Sequence, residues 1–143
     1  MKIREMMTAP VVKIHPEESV SVAARMLEHN NIGAMPVCSG DGRLCGMITD
    51  RDIVTRCLAA GKVPQNTRVS EVMTGKVYVA RPDMEVSLVA GLMGREQIRR
   101  LPVMENGKLC GMISLGDLAR VEESSIEAGD ALTEISSQLS CRG

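Results

Sequence analysis

The sequence predicts an α/β (α+β) fold: two pseudo-twofold-related β-α-β-β-α repeats that form one compact module. Three observations carry this expectation. The chain duplicates itself along most of its length. Strand and helix periodicities recur in the same order in both copies. Each copy alone, at about 60 residues, buries too little surface to be comfortably stable.

The duplication is read directly. Met7-Thr8 matches Met73-Thr74, Pro16 matches Pro82, and Pro36-Val37 matches Pro102-Val103, all at a spacing of 66. After Ser39-Gly40-Asp41-Gly42-Arg43 the spacing falls to 65, and Cys45-Gly46-Met47-Ile48 matches Cys110-Gly111-Met112-Ile113. A one-residue deletion inside a turn is where a repeat tolerates it. The repeats are assigned to 3–61 and 69–122, with 62–68 as linker and 123–143 as an acidic amphipathic tail.

Each repeat is expected to open with a short strand, Val11-Val12-Lys13-Ile14 or Val77-Tyr78-Val79-Ala80. A helix follows, because Val20, Ala23, Ala24 and Leu27 fall at i, i+3, i+4 and i+7, and Val86, Val89, Ala90 and Met93 repeat that face. Two strands joined by a turn come next: Met35–Cys38 with Leu44–Ile48, and Leu101–Met104 with Leu109–Ile113. Asn106-Gly107 is a hairpin signal, since both residue types accept positive φ. Pro36 and Pro102 lack an N–H, which places their strands at an edge or at a strand start. A last helix runs from about Asp50 to Ala60, stopped by Gly61; its counterpart starts near Ser114 and continues through Leu118 and Val121.

After Arg120 the composition turns acidic: Glu122, Glu123, Glu127, Asp130 and Glu134 stand against only Arg142. Ala128, Leu132, Ile135 and Leu139 trace an apolar stripe there. Such a helix either packs back on its own domain or docks on a second subunit.

Composition narrows the function. The only aromatic residue is Tyr78, so Met, Val, Leu and Ile must fill the core, and the stacking platform of a single-strand nucleic-acid binder is missing. A net charge of −1 gives no footprint for DNA. No apolar run approaches the ~18 residues of a membrane span, and Met1-Lys2-Ile3-Arg4-Glu5 leads into no signal-peptide core, so a cytoplasmic protein is expected. The five cysteines form no CxxC pair, and their odd number suits a reducing compartment. Cys45 and Cys110 fall at equivalent strand positions and read as small buried apolar residues. His15 and His29 are far apart, which argues against a zinc site.

The chemistry concentrates where each last strand meets its helix. Gly46-Met47-Ile48-Thr49-Asp50-Arg51-Asp52-Ile53 and Gly111-Met112-Ile113-Ser114-Leu115-Gly116-Asp117-Leu118 each place a hydroxyl and, three residues on, a carboxylate beside free backbone N–H groups. Thr or Ser before a helix is also an ordinary cap, and an Asp in the first turn favours the helix dipole.

These two patterns, with Val69-Ser70-Glu71-Val72-Met73-Thr74, its counterpart around Met6-Met7-Thr8, and Leu101-Pro102-Val103, resemble the cystathionine β-synthase (CBS) domain family in its stand-alone paired form. The resemblance covers about residues 3–120. It implies a regulatory module that binds adenosine-containing ligands in clefts between its halves, such as AMP, ADP, ATP, S-adenosylmethionine or NAD. It implies neither a catalytic residue nor an obligatory cofactor.

By the same resemblance Asp52 and Asp117 would accept hydrogen bonds from ribose hydroxyls, as a carboxylate acceptor can. Thr49 and Ser114 would donate to a phosphate or ribose oxygen. Arg99 and Arg100 would face phosphates and are paired with Asp52; Gly33-Ala34 at the equivalent positions leaves less charge for a site on Asp117. Adenine would lie against Val12, Ala34 and Met35. A homodimer and an unidentified regulated protein are the expected partners, without nucleic acid, membrane or metal. The competing readings are a ligand-free structural or protein-interaction module that dimerises and, more remotely, a thiol enzyme; for the last, no Cys has a nearby His.

Overall fold

The computed structural model describes residues 1–120 and 129–136. Its elements are α1 (Val20–His29), β1 (Ala34–Cys38), β2 (Leu44–Thr49), α2 (Asp50–Asp52, continuing as a π-helix over Ile53–Leu58), α3 (Val69–Val72), α4 (Val86–Glu96), β3 (Arg100–Glu105), β4 (Lys108–Ser114), α5 (Leu115–Ala119) and a helix α6 over 129–136. Helices and small antiparallel sheets alternate, as expected. No helix among the described residues is long and apolar enough to cross a membrane.

The chain divides into two compact units, Val12–Val77 and Met1–Val11 with Tyr78–Gly143. The units are cut differently from the sequence repeats, because each repeat's entry segment packs with the neighbouring repeat's sheet.

In the Val12–Val77 unit, β1 and β2 form an antiparallel hairpin with Ala34 opposite Thr49 and Met35 opposite Ile48. Val20, Ala23 and Leu27 of α1 bury the predicted face against Met35, Val37 and Ile48. The expected opening strand is reduced to one parallel bridge, Ile14 to Val37. The Ile14 amide donates to the Pro36 carbonyl at 3.1 Å and the Cys38 amide to the Ile14 carbonyl at 2.9 Å. Pro36 is opposite Met47, whose amide instead donates to Thr74 on the far side of β2 at 2.9 Å. This register asks nothing of Pro36's missing N–H, so a proline sits inside the strand.

The other unit repeats the plan. Arg100 is opposite Ser114 and Leu101 opposite Ile113, and a single parallel bridge joins Ala80 to Val103. Asn106 and Gly107 close the hairpin with φ of 53° and 76°, the left-handed pair the sequence called for. Val86, Val89, Ala90 and Met93 of α4 are buried, and so are Ala131 and Ile135 of α6. The tail therefore packs back on its own unit where it is described. Leu132, expected on the buried stripe, is 45% exposed, and Ala128 and Leu139 lie outside the described residues.

The glycine of each motif has a steric reason. Thr74 exchanges backbone hydrogen bonds with Met47, and Thr8 does the same with Met112. These segments cross directly over Gly46 and Gly111. A Cβ at Gly46 would run into the Thr74 carbonyl oxygen, and one at Gly111 would lie 2.7 Å from Met7 Sδ and 3.2 Å from the Thr8 carbonyl oxygen.

Candidate functional site

Both strand-to-helix junctions fold as reciprocal capping boxes. The Asp52 amide donates to Thr49 Oγ1 at 3.0 Å, and the Thr49 amide donates to Asp52 Oδ2 at 3.0 Å. In the second repeat the Asp117 amide donates to Ser114 Oγ at 3.0 Å and the Ser114 amide to Asp117 Oδ2 at 2.9 Å. Each hydroxyl and one oxygen of each carboxylate thus satisfy helix-end donors that would otherwise be orphaned. Thr49→Ala and Ser114→Ala are each expected to lower stability by about 1 kcal/mol, read from denaturant midpoints at constant m.

The second carboxylate oxygens differ. Asp52 Oδ1 is 3.5 Å from Thr74 Oγ1 and 3.9 Å from Arg56 Nη1. Arg56 Nη1 is closer to the carbonyls of Met73 and Val72, at 3.1 and 3.3 Å. Asp117 Oδ1, by contrast, accepts from Arg120 Nη2 at 3.0 Å. Both aspartate side chains are largely covered, 11% and 12% exposed.

Beside each junction lies a cavity belonging to its own unit. In the second, about 520 Å³ in volume, Arg99, Arg100 and Arg120 line the walls with Ser114, Gly116 and Leu132. The hairpin register explains this grouping: Arg100 is opposite Ser114, and the Leu115 amide donates to the Arg99 carbonyl at 2.8 Å. The first, about 640 Å³, is lined by Ala24, Leu27, Ile53 and Val54 with the acidic Glu28 and Asp50. Its register is the same, with Ala34 opposite Thr49 and the Asp50 amide on the Gly33 carbonyl at 3.0 Å. The frames are alike and the charges opposite.

The sequence reading paired Arg99 and Arg100 with Asp52 and expected less charge near Asp117. Within their own unit the two arginines, both exposed, stand beside Ser114 and Arg120; Asp52 belongs to the other unit. Arg120 went unnoticed, although its i+3 spacing from Asp117 is a legible ion-pair signal. Of the residues expected against adenine, Val12 and Ala34 are half-buried. Met35 is fully buried among α1 and β2 residues, so its side chain presents no free surface.

Two of the described cysteines, Cys38 and Cys110, are shifted away from activation. Burial pushes the Cys38 thiol above its ordinary value against the opposing charge of Lys13, and burial, then Glu105, does the same at Cys110. A nucleophilic thiol needs the opposite shift. Among the described residues no group of three or more His, Cys, Asp and Glu side chains is placed to hold a metal ion.

The model of the CBS domain matches the chain twice, over residues 3–59 and 69–124. The CBS domain-containing protein YhcV of Bacillus subtilis is 41% identical over 136 residues, 95% of this chain and 96% of that one. The crystal structure of Hypoxic Response Protein I with two coordinated zinc ions superposes with a TM-score of 0.78 at 34% identity, covering 84% of this chain and 98% of that one. The CBS domain pair of protein MJ0100, in complex with 5′-methylthioadenosine and S-adenosylmethionine, superposes at 0.74 and 30% identity, covering 84% and 94%.

Proposed function

Since the chain belongs to the CBS domain family, whose paired members are regulatory modules, we propose that it is a sensor of an adenosine-containing ligand. The ligand class comprises AMP, ADP and ATP, with S-adenosylmethionine and NAD as further members. The observation that carries this reading is the doubled junction: a hydroxyl and a mostly covered carboxylate, three residues apart, beside a cavity large enough for a small molecule. Asp52 and Asp117 take the ribose hydroxyls through Oδ1, since Oδ2 is committed to the cap. The cavity holding Arg99 and Arg100 takes the phosphates, through planar guanidinium donors that match phosphate oxygens. The complex formed by the MJ0100 pair supports the ligand class.

The module acts in the cytoplasm as a homodimer and reports ligand binding to a separate protein. Exposed Val54 and Leu58 on the outer side of α2, and exposed Leu88 on α4, supply apolar surface for association. The same exposure favours the second reading, a ligand-free interaction module.

A thermal-unfolding panel of the purified chain with AMP, ADP, ATP, S-adenosylmethionine and NAD separates the two. A ligand at 100 times its Kd stabilises the native state by about 2.7 kcal/mol, a shift of several degrees for a domain this size. The expected result is a shift with at least one adenylate, reduced in Asp52→Ala or Asp117→Ala. No shift with any of the five at millimolar concentration would overturn the sensor reading in favour of the interaction module.

A further inference from the structure

Arg120 has no positional counterpart in the first repeat, where the equivalent residue, Thr55, donates its hydroxyl to the Arg51 carbonyl at 2.8 Å and the cation nearest the second Asp52 oxygen, Arg56, stands off at 3.9 Å. Its guanidinium is bonded to the one Asp117 oxygen that the cap leaves over. With 12% of the Asp117 side chain exposed, Oδ1 has little room for a guanidinium and a ribose together. The Arg120 side chain is itself 77% exposed and lines the same cavity as Arg99 and Arg100. At that exposure its guanidinium can exchange one anion for another without disturbing the core.

We propose that Arg120 is a specificity residue that latches Asp117 and makes the second junction select phosphorylated over unphosphorylated adenosine ligands. The inference rests on the sensor reading above. A phosphate entering the cavity between Arg99 and Arg100 gives Arg120 a replacement partner, and Asp117 Oδ1 is released to the ribose. Adenosine brings no anion, so it binds only at the expense of the Arg120–Asp117 pair. At the first junction Arg56 Nη1 stands 3.9 Å from Asp52 Oδ1 and is bonded instead to the Met73 and Val72 carbonyls, so the corresponding latch is weaker there. Pairs exposed on one side are worth at most about fivefold in an equilibrium constant, and that bounds the effect.

The test is isothermal titration of the full chain with AMP and with adenosine, in wild type and in an Asp52→Asn background that leaves the second junction to report. Adding Arg120→Gln is expected to tighten adenosine binding by up to about fivefold while AMP, which only exchanges one partner of Arg120 for another, gains nothing, so the preference for AMP over adenosine falls by up to about fivefold. Arg120→Lys, which keeps the charge but not the fork, should fall between. The change in that ratio is the signature, because a residue that only supports the fold moves both affinities together. Equal shifts, or none, overturn the latch and leave the sensor reading standing. So does AMP binding to wild type but not to Asp52→Asn. Binding of neither ligand to wild type removes the sensor reading and the latch with it.

Discussion

Replacing Gly46 with valine is expected to cost about 3 kcal/mol of stability and to displace Thr74 from β2. The argument is steric. A Cβ at this position would overlap the Thr74 carbonyl oxygen and lie 3.1 Å from Met73 Sδ and 3.2 Å from the Thr74 carbonyl carbon. Thr74 cannot retreat alone, because its amide donates to the Met47 carbonyl at 2.8 Å and its carbonyl accepts from the Met47 amide at 2.9 Å. Making room for the side chain breaks both bonds in a buried stretch of β2. Displacement of Thr74 also removes its hydroxyl from Asp52 Oδ1, so the variant perturbs the candidate ribose acceptor from a distance. Gly111 provides the control. There the closest atoms, Met7 Sδ and Cγ at 2.7 and 3.0 Å, belong to a flexible side chain, and the backbone Thr8 carbonyl oxygen stands off at 3.2 Å. Gly111→Ala should therefore cost no more than about 1 kcal/mol, clearly less than Gly46→Ala. Urea midpoints at constant m decide it, and equal losses at the two glycines would refute the close-approach account.

The same glycines show how far the sequence could be read. The motif made Gly46 and Gly111 visible as equivalent positions, and the pairing of Met7-Thr8 with Met73-Thr74 was visible as repeated sequence. That each dipeptide crosses a glycine was not, because the bridges Thr8–Met112 and Met47–Thr74 join segments far apart in the chain. Local signals were the clear ones. Asn106-Gly107 announced its own turn, and the faces of α1 and α4 followed from 3.6-residue spacing. The expected opening strands failed to extend because an apolar run does not reveal how much partner it will meet. Beside Val11–Ile14 stands a five-residue β1 with an irregular register between Val37 and Cys38, and only Ile14 pairs. At the site, the aspartates and hydroxyls were found through the repeat, whereas Arg120 was missed through it. Comparing copies favours what both share, and Arg120 is where they differ. The grouping of Arg100 with Ser114 was within reach, since a hairpin closed at Asn106-Gly107 sets that register.

Ile135→Ala should lower stability by about 3 kcal/mol, within the range of buried Ile-to-Ala changes. The described turns of α6 gain little from propensity alone, so the order of 129–136 rests on what it buries. Ile135 is 3% and Ala131 4% exposed, both in the cluster formed with Ala90, Met93 and Leu118. The contact is close because neither partner is bulky: a Cβ at Gly94 would be 3.3 Å from Ala131 Cα. The sequence placed the buried stripe one residue off at Leu132, since an apolar spacing fixes a face only broadly, and small residues then decide which side comes nearest. Leu132→Ala, at 45% exposure, is accordingly expected to cost less than about 1 kcal/mol. A loss below about 0.5 kcal/mol at Ile135 would show that α6 is not part of the core, and would favour docking of the tail on a second subunit. The outcome bears on binding as well. Gly129 and Leu132 line the cavity that holds Arg99, Arg100 and Arg120. If α6 is held by Ile135, the substitution loosens one wall of that cavity, and AMP affinity should fall together with stability.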